Sequence, residues 1–278
     1  MLFSGTGLDI HFCAVRDEEI FSDIHRECLT LWKQFEPLAD KKFKQQFSES
    51  FDTCFWEMYL GSHLLNRYPD AVGSQNQGPD FYLEINGQKV FIEATVASRG
   101  SAKDAIPNLG RHDDKREPLV AFKESVLRVT AKLKDKAEAN SARKYAQKGP
   151  YIVAINLPYK EVWLCTNPPL AAQATLGVKG RVIEFNEYGV SSSFTHNPSV
   201  LRASDALVST ECFLREDFAH ISALIVASVN PFSTSYSSPS LELLHNPKAT
   251  KPLGHGLVGF GREYWVESGV LKEFSYDD

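Results

Sequence analysis

The stretch GPDFYLEINGQKVFIEATVA, residues 78–97, contains two short runs of β-forming residues separated by Asn86-Gly87. Asn-Gly is a strong hairpin signal because both residues tolerate the positive φ of a type I′ turn. Counting outward from this turn places Asp80 opposite Glu93. The stretch therefore predicts an antiparallel hairpin whose far end brings two carboxylates together. The other predicted pairs are Ile85 with Gln88, Glu84 with Lys89, and Tyr82 with Phe91.

The two opposed carboxylates indicate a metal site. Directly opposed residues place their Cβ atoms about 4.5–5.5 Å apart, where like charges destabilise a sheet. A divalent cation would offset this repulsion, and Mg²⁺ commonly takes one or two protein carboxylates together with water and substrate phosphate. We therefore predict that Asp80 and Glu93 bind Mg²⁺ or Mn²⁺. In the alternative, Asp80 caps a turn and Glu93 points to solvent, although its strand, VFIEATVA, is apolar on both faces.

A third acid lies in the preceding segment. Residues 51–68, FDTCFWEMYLGSHLLNRY, predict a helix whose apolar side chains surround it almost completely, which is typical of a buried helix. Glu57 lies in its middle and shares a face with Leu60 and Leu64, so we expect its carboxylate to face the interior or a cleft. A charged Glu there needs a partner. An ion pair with Arg67 and a place beside the hairpin acids both remain open.

The order of these residues resembles the PD-(D/E)XK nuclease superfamily. Glu57 lies in a helix, Gly78-Pro79-Asp80 opens a strand, and Ile92-Glu93-Ala94-Thr95 lies in the next strand. The superfamily includes restriction, repair and recombination nucleases with a sheet flanked by helices. The resemblance covers residues 51–157. It implies a restriction-endonuclease-like α/β fold, metal ligation by Asp80 and Glu93 with Glu57 as the helix acid, and metal-dependent hydrolysis of phosphodiester bonds, as in a DNA endonuclease.

The chain departs from this pattern at Thr95, where the family usually has lysine on the face of the second acid. In some members a basic residue from a nearby helix occupies that space. Residues 118–147 predict a long helix with Arg128, Lys132 and Lys136 along one flank. A lysine there would orient the attacking water or stabilise charge on the phosphate. If neither lysine reaches the acids, we expect a module that binds nucleic acid or protein without cutting.

Charge is distributed unevenly along the chain. The net charge is −5, yet residues 99–148 hold 13 Lys or Arg against 7 Asp or Glu, a local excess of +6. Such a block predicts a contact surface for an anionic partner, and the resemblance implies that this partner is a nucleic acid, DNA in the first place. The alternative is a solvated helix face whose basic stems lie along the core edge. The candidate contact residues are Arg99, Lys103, Arg111, Lys115 and Arg128.

The rest of the chain indicates a cytoplasmic globular protein. The composition is 43% hydrophobic and 23% charged, and no apolar run approaches the roughly 20 residues that span a bilayer. The five cysteines are scattered without a CxxC pair, which favours a reducing compartment. We therefore expect no membrane partner, and a homodimer remains open.

We expect a single domain over residues 1–278, with a helical N-terminal part (1–50), a nuclease-like core (51–165) and a C-terminal extension of the sheet (166–278). Residues 1–15 suggest an extended segment, whereas residues 151–157 and 221–228 suggest buried strands. The histidines lack metal-ligand spacing and are interpreted as surface or structural residues. They are His196, His220, His245 and His255.

Overall fold

The structure is a computed structural model. It describes residues 2–73, 78–85, 87–100, 105–106, 117–159, 164, 166–186, 189–202, 205–232 and 241–276, without the side chains of residues 117–119 and 181–192.

Helices and strands alternate in blocks along the chain. The α-helices are α1 (Ile10–Asp17), α2 (Ser22–Phe35), α3 (Phe43–Glu49), α4 (Phe51–Arg67), α5 (Glu117–Glu138), α6 (Asn140–Ala146) and α7 (Leu170–Thr175). The 3₁₀ turns are Leu2–Ser4, Glu19–Phe21, Cys212–Leu214 and Glu216–Phe218. The strands are β1 (Val72–Gly73), β2 (Phe81–Ile85), β3 (Gln88–Val96), β4 (Tyr151–Asn156), β5 (Val178–Asn186), β6 (Gly189–His196), β7 (Ser199–Leu201), β8 (Leu207–Ser209), β9 (Ala223–Ala227), β10 (Leu241–His245), β11 (Arg262–Glu267) and β12 (Val270–Ser275).

A mixed eight-stranded sheet forms the centre of the molecule, in the order β1-β2-β3-β4-β9-β10-β11-β12. The β3–β4, β4–β9 and β10–β11 pairs are parallel, and the other neighbouring pairs are antiparallel. The β5–β6 and β7–β8 pairs form separate two-stranded sheets. The C-terminal region therefore extends the main sheet through β9–β12 alone. The chain is of the mixed α/β class that the sequence predicts.

The hairpin register agrees with the prediction. Ile85 pairs with Gln88, Glu84 with Lys89, and Tyr82 with Phe91. Gly87 has the positive φ (76°) that the turn requires, whereas Asn86 lies outside the described residues. The pairing continues to Phe81 and Ile92. Asp80 comes one residue before β2, which places it across from Glu93.

Helices cover both faces of the sheet, and side-chain alternation along each strand divides the core into two layers. The N-terminal helices α1–α4 pack on one face against residues such as Val90 and Ile92. Helices α5, α6 and α7 pack on the other face against Phe91 and Val153. Strands β4 and β9 are buried along their whole length, because they have neighbours on both edges and helices on both faces. No described helix is both long and apolar enough to cross a membrane.

Two expected elements differ in the structure. The extended segment expected over residues 1–15 is wrong, because Asp9 caps α1 by accepting hydrogen bonds from the backbone N–H groups of His11 and Phe12. The long helix expected over residues 118–147 is divided into α5 and α6. Ala139 has extended backbone angles (φ −64°, ψ 133°) that end the first helix and begin the second.

Candidate functional site

Asp80 connects the two strands of the hairpin at its open end. Its Oδ2 accepts a hydrogen bond from the backbone N–H of Ala94 at 2.6 Å. This bond crosses to β3, so the alternative in which Asp80 only caps a local turn is wrong. The carboxylate is held at the margin of the sheet beside the position of Glu93, where the sequence predicted it.

Glu93 faces the layer of α5. Its side chain is 16% exposed, and its Oε1 accepts a hydrogen bond from Lys136 Nζ at 2.6 Å. The hydroxyl of Tyr151, the first residue of β4, donates to Oε2 at 3.4 Å. The alternative in which Glu93 points to solvent is therefore wrong. Tyr151 was not among the predicted site residues, because its contact depends on the parallel pairing of β3 with β4.

Glu57 approaches the hairpin from α4, the helix on the opposite face of the sheet. Burial raises the pKa of Glu57 to about 8, and the charges of Asp80, Asp40 and Glu93 contribute to the increase. Within the described chain no ion pair to Glu57 occurs. Arg67, the alternative partner, instead donates to the carbonyl oxygen of Gly256. The ion pair with Arg67 is thus not formed.

Asp80 also holds its proton more tightly than an ordinary aspartate does. Burial and the neighbouring Glu93 raise the pKa of Asp80 to about 7, against the opposing effects of the Ala94 hydrogen bond and the positive charge of Lys136. One lysine therefore faces three carboxylates, and two of them keep elevated pKa values. Among the described residues, the carboxylates of this site thus outnumber its cations, an imbalance that a divalent cation would offset.

The donor atoms of this acid cluster (Glu57, Asp80 and Glu93) suit a hard cation, because all are carboxylate oxygens. The three acids do not bring one ligand atom each within 4.8 Å of one another; in the described ranges only His245, His255 and Glu263 do so. This wider spacing does not support three direct ligands of one ion.

The predicted lysines are not equivalent. Thr95 is buried two residues beyond Glu93 on the same face of β3, beneath α5. Lys136 reaches Glu93 from that helix. Lys132, one turn earlier, is half-buried and forms no hydrogen bond or ion pair to the acids among the residues described. Lys136 is therefore the residue that brings a positive charge to the place where Thr95 offers none.

Two of the predicted nucleic-acid contacts lie together near the end of β3. Arg99 donates to the carbonyl oxygen of Ile106 at 2.9 Å, and its guanidinium lies 4.6 Å from the ring centroid of Tyr159. Burial raises the pKa of Tyr159, whereas the charges of Arg99 and Arg128 oppose that increase, which indicates that both arginines are near the phenol. Lys103, Arg111 and Lys115 lie outside the described residues.

A second cluster, which we call the histidine cluster, consists of His245, His255 and Glu263. Glu263 Oε1 lies 2.6 Å from His245 Nε2 and 2.9 Å from His255 Nδ1. The backbone N–H of Gly256 and the hydroxyl of Tyr276 donate to Oε2 at 2.9 and 2.5 Å. Although burial raises the pKa of Glu263, these hydrogen bonds outweigh it and lower the pKa to about 2.

Sequence spacing does not reveal the histidine cluster. Nine residues lie between the two histidines and seven between His255 and Glu263, which matches no short metal-binding motif. The three side chains meet because β10 pairs in parallel with β11 and the loop between them folds back. Sequence reasoning also missed Asp40, whose charge raises the pKa of Glu57. A loop and the short helix α3 separate Asp40 from α4, so no local pattern links the two acids.

Comparison with known proteins identifies no relative of this chain. No protein-family model, no curated protein and no solved structure matches it. The superfamily resemblance therefore remains a prediction from residues 51–157.

Proposed function

We propose that this protein is a metal-dependent nuclease that hydrolyses phosphodiester bonds in DNA, with Asp80 and Glu93 as ligands of Mg²⁺ or Mn²⁺. The observation that carries this proposal is the placement of the acids. The Ala94 N–H fixes Asp80 across from Glu93, and Lys136 is the one cation that pairs with either acid among the described residues. The raised pKa values of Glu57 and Asp80 agree with this shortage of positive charge. A bound cation supplies the missing positive charge, activates a water molecule as nucleophile and stabilises charge on the scissile phosphate.

A structural ion pair is the simplest other explanation for part of this geometry. Lys136 and Glu93 alone would form an ordinary half-buried salt bridge, 27% and 16% exposed. Such a pair neutralises Glu93 but leaves Asp80 and Glu57 uncompensated. Unpaired buried carboxylates are costly to keep, and perturbed pKa values of this kind concentrate at functional sites. The extra acids therefore favour a metal site over a purely structural pair.

Lys136 takes the role of the lysine that the family pattern places at Thr95. Its ammonium lies 2.6 Å from Glu93 Oε1, and its charge also acts on Asp80. From this position it can orient a water molecule or a phosphate oxygen and stabilise negative charge that develops during hydrolysis. Tyr151 holds the other oxygen of Glu93 and acts as a positioning residue.

The flank of α5 supports a nucleic-acid substrate. Arg128, Lys132 and Lys136 are spaced four residues apart, so they follow one side of the helix over about 12 Å. This row begins beside Glu93 and runs toward Tyr159 near the end of β3. A row of cations that ends at a metal site fits contact with a phosphate backbone, which fixes the position of the substrate without reading its sequence.

The arrangement also supports the restriction-endonuclease-like fold as part of the proposal. The helix acid lies on α4, the Pro-Asp pair directly precedes β2, and the second acid lies on β3. Helices cover both faces of the sheet. A cytoplasmic location belongs to the same proposal and follows from composition and cysteine usage.

The direct test is nicking of supercoiled plasmid DNA with Mg²⁺, Mn²⁺ or a chelator. Glu93→Gln and Asp80→Asn should lower the cleavage rate by at least about 100-fold, because each removes a charged metal ligand. Glu84→Gln is the matched control, since Glu84 is an exposed acid on the same hairpin and should keep full activity. Cleavage by folded Glu93→Gln at the wild-type rate would contradict the proposal.

Thr95 favours a second candidate, a module of the same fold that binds nucleic acid or a protein partner without cutting. Fluorescence anisotropy with labelled DNA separates the two. A non-cutting module should bind DNA with the same affinity in wild type and Glu93→Gln, while no divalent cation produces cleavage. Metal-dependent cleavage by wild type that Glu93→Gln loses would exclude this candidate.

A further inference from the structure

The histidine cluster places two imidazole nitrogens against one carboxylate oxygen. Glu263 Oε1 lies within hydrogen-bond distance of His245 Nε2 (2.6 Å), His255 Nδ1 (2.9 Å) and the backbone nitrogen of Gly256 (3.2 Å). A carboxylate oxygen offers about two lone-pair sites. If both imidazoles donate N–H groups, they fill these two sites, because the Gly256 N–H has its closer acceptor in Oε2 at 2.9 Å. In the other tautomers the two imidazole nitrogens present lone pairs toward Oε1, and a shared cation would turn that repulsion into coordination.

We propose that His245 Nε2, His255 Nδ1 and Glu263 Oε1 bind a zinc ion at a site separate from the acid cluster. These three atoms lie within 4.8 Å of one another. Two imidazoles and one carboxylate form the His₂Glu ligand set that Zn²⁺ accepts, with nitrogen ligands at about 2.0–2.1 Å. The acid cluster offers oxygen alone, which suits Mg²⁺ or Mn²⁺ instead. The chemistry of the donor atoms thus distinguishes the two sites.

The surroundings hold the carboxylate in the orientation that such a site requires. Tyr276 and the backbone of Gly256 donate to Glu263 Oε2, which leaves Oε1 directed at the histidines. Outer hydrogen bonds of this kind orient metal ligands and are needed for affinity. The loop is itself fixed, because Arg67 on α4 donates to the carbonyl oxygen of Gly256 at 2.8 Å. The loop and the carboxylate are therefore positioned before an ion binds, and the 2.6 Å between Glu263 Oε1 and His245 Nε2 must widen to about 3.3 Å, the spacing of tetrahedral zinc ligands.

The position of the cluster indicates what zinc would do there. His245 ends β10, Glu263 lies in β11, and Tyr276 follows β12, so one ion would link the last strands of the sheet to the loop before β11. The His255 side chain is 59% exposed, which leaves the fourth coordination position open to solvent. Binding to the folded state alone stabilises it by mass action. The ion should therefore stabilise the C-terminal part of the sheet.

The test is isothermal titration of the metal-free full chain with zinc chloride. Wild type should bind one zinc ion that His255→Asn and Glu263→Gln bind at least about tenfold more weakly. His196→Asn is the matched control, because His196 is an exposed histidine 2.7 Å from Glu211 and has no third ligand in the described structure. Asp80→Asn tests independence from the acid cluster. Both of these variants should keep the wild-type zinc affinity.

Thermal unfolding provides the second measurement. His255→Asn is expected to fold, because most of this side chain is exposed, and zinc should raise the Tm of wild type and His196→Asn but not of His255→Asn. Equal zinc affinity in wild type and His255→Asn would overturn the proposal, as would the absence of a zinc-dependent Tm increase in wild type. Loss of zinc binding in Asp80→Asn would place the ion at the acid cluster and would equally overturn it. Plasmid cleavage is measured separately, because it reports on the acid cluster and not on zinc binding.

Discussion

Asp80 lies on the hairpin, and Glu263 lies in β11, four positions from β3 across the sheet. Both side chains are shielded from solvent, yet the pKa of Asp80 is raised and the pKa of Glu263 is lowered. Burial raises the pKa in both cases. Asp80 receives one backbone hydrogen bond and lies beside another acid, whereas Glu263 receives donors from His245, Gly256 and Tyr276. Hydrogen-bond donors and neighbouring charges, set against burial, together decide which of these carboxylates is charged at neutral pH.

This difference assigns different chemistry to the two clusters. The acid cluster has an excess of carboxylates and one lysine, so it gains from a hard cation. The histidine cluster places two imidazole nitrogens against one carboxylate, so a softer cation fits there. Five predictions test this contrast, beginning with the largest expected effect.

The largest effect is expected at Lys136. Lys136→Met should lower metal-dependent cleavage by about 100- to 1,000-fold, because it removes the one lysine charge that reaches Glu93 among the residues the structure describes. Magnesium binding measured by calorimetry should persist, since the acids remain. Lys132→Met is the control one turn away and should change the cleavage rate by less than about tenfold. Equal rates in wild type and Lys136→Met would remove Lys136 from the mechanism.

A second variant sharpens the comparison between Lys136 and Thr95. Thr95→Lys in the Lys136→Met background returns lysine to the position that the family pattern prefers, on the face of Glu93. We expect recovery of at least about tenfold in the cleavage rate, because charge is restored next to the metal site. Circular dichroism checks that the buried substitution has not unfolded the protein. A folded double variant with no recovery would show that position 95 cannot supply the charge.

Magnesium affinity should depend on pH at the acid cluster. Asp80 and Glu57 have pKa values near 7 and 8, so both must lose protons before they can act on a cation as carboxylates. Affinity should therefore rise by about 10- to 100-fold between pH 6 and pH 8. Calorimetric titrations at pH 6, 7 and 8 measure it, and Asp80→Asn should flatten the dependence. An affinity that stays constant over this range would contradict the elevated pKa values.

Glu263 should stabilise the fold against acid. Its folded pKa is lowered to about 2, so its contribution is fully present above the unfolded value near 4.5 and is lost as pH falls toward 2. Urea unfolding from pH 5 to pH 2 should show wild type losing about 2 kcal/mol more than Glu263→Gln. This value is smaller than the full pKa difference implies, because solvent screens the charges on the open side of the histidine cluster. Parallel stability curves for the two proteins would show that Glu263 is not specially stabilised.

Asp80 should have the opposite effect on stability when no metal is present. The pKa of Asp80 is raised in the folded state, so the charged carboxylate destabilises the fold. This loss of stability begins as the pH rises above the unfolded pKa near 4 and reaches its full size above about pH 7. Asp80→Asn should therefore be more stable than metal-free wild type at pH 8, by about 1 kcal/mol, and nearly equal to it at pH 4. Adding Mg²⁺ should stabilise wild type alone. A variant that is less stable at both pH values would contradict this expectation.

The sequence predicts those features that depend on neighbours along the chain. The turn at Gly87 and the period-two pattern fix the hairpin register, because a shift by one residue would turn every apolar side chain to the wrong face. The same local reasoning predicts α4 and places Glu57 on it. It fails at residues 1–15, where the Asp9 side chain caps a helix in a segment whose periodicity is too short to recognise.

The sequence alone therefore determined the pairing of Asp80 with Glu93, since a turn and an alternating pattern act within twenty residues. Tertiary structure decided which lysine reaches them, because Lys132 and Lys136 share a helix flank and only the path of α5 over β3 distinguishes them. It also decided the histidine cluster, whose three residues are brought together by the parallel pairing of β10 with β11. Contacts between elements distant in sequence depend on how layers pack, which local patterns do not specify.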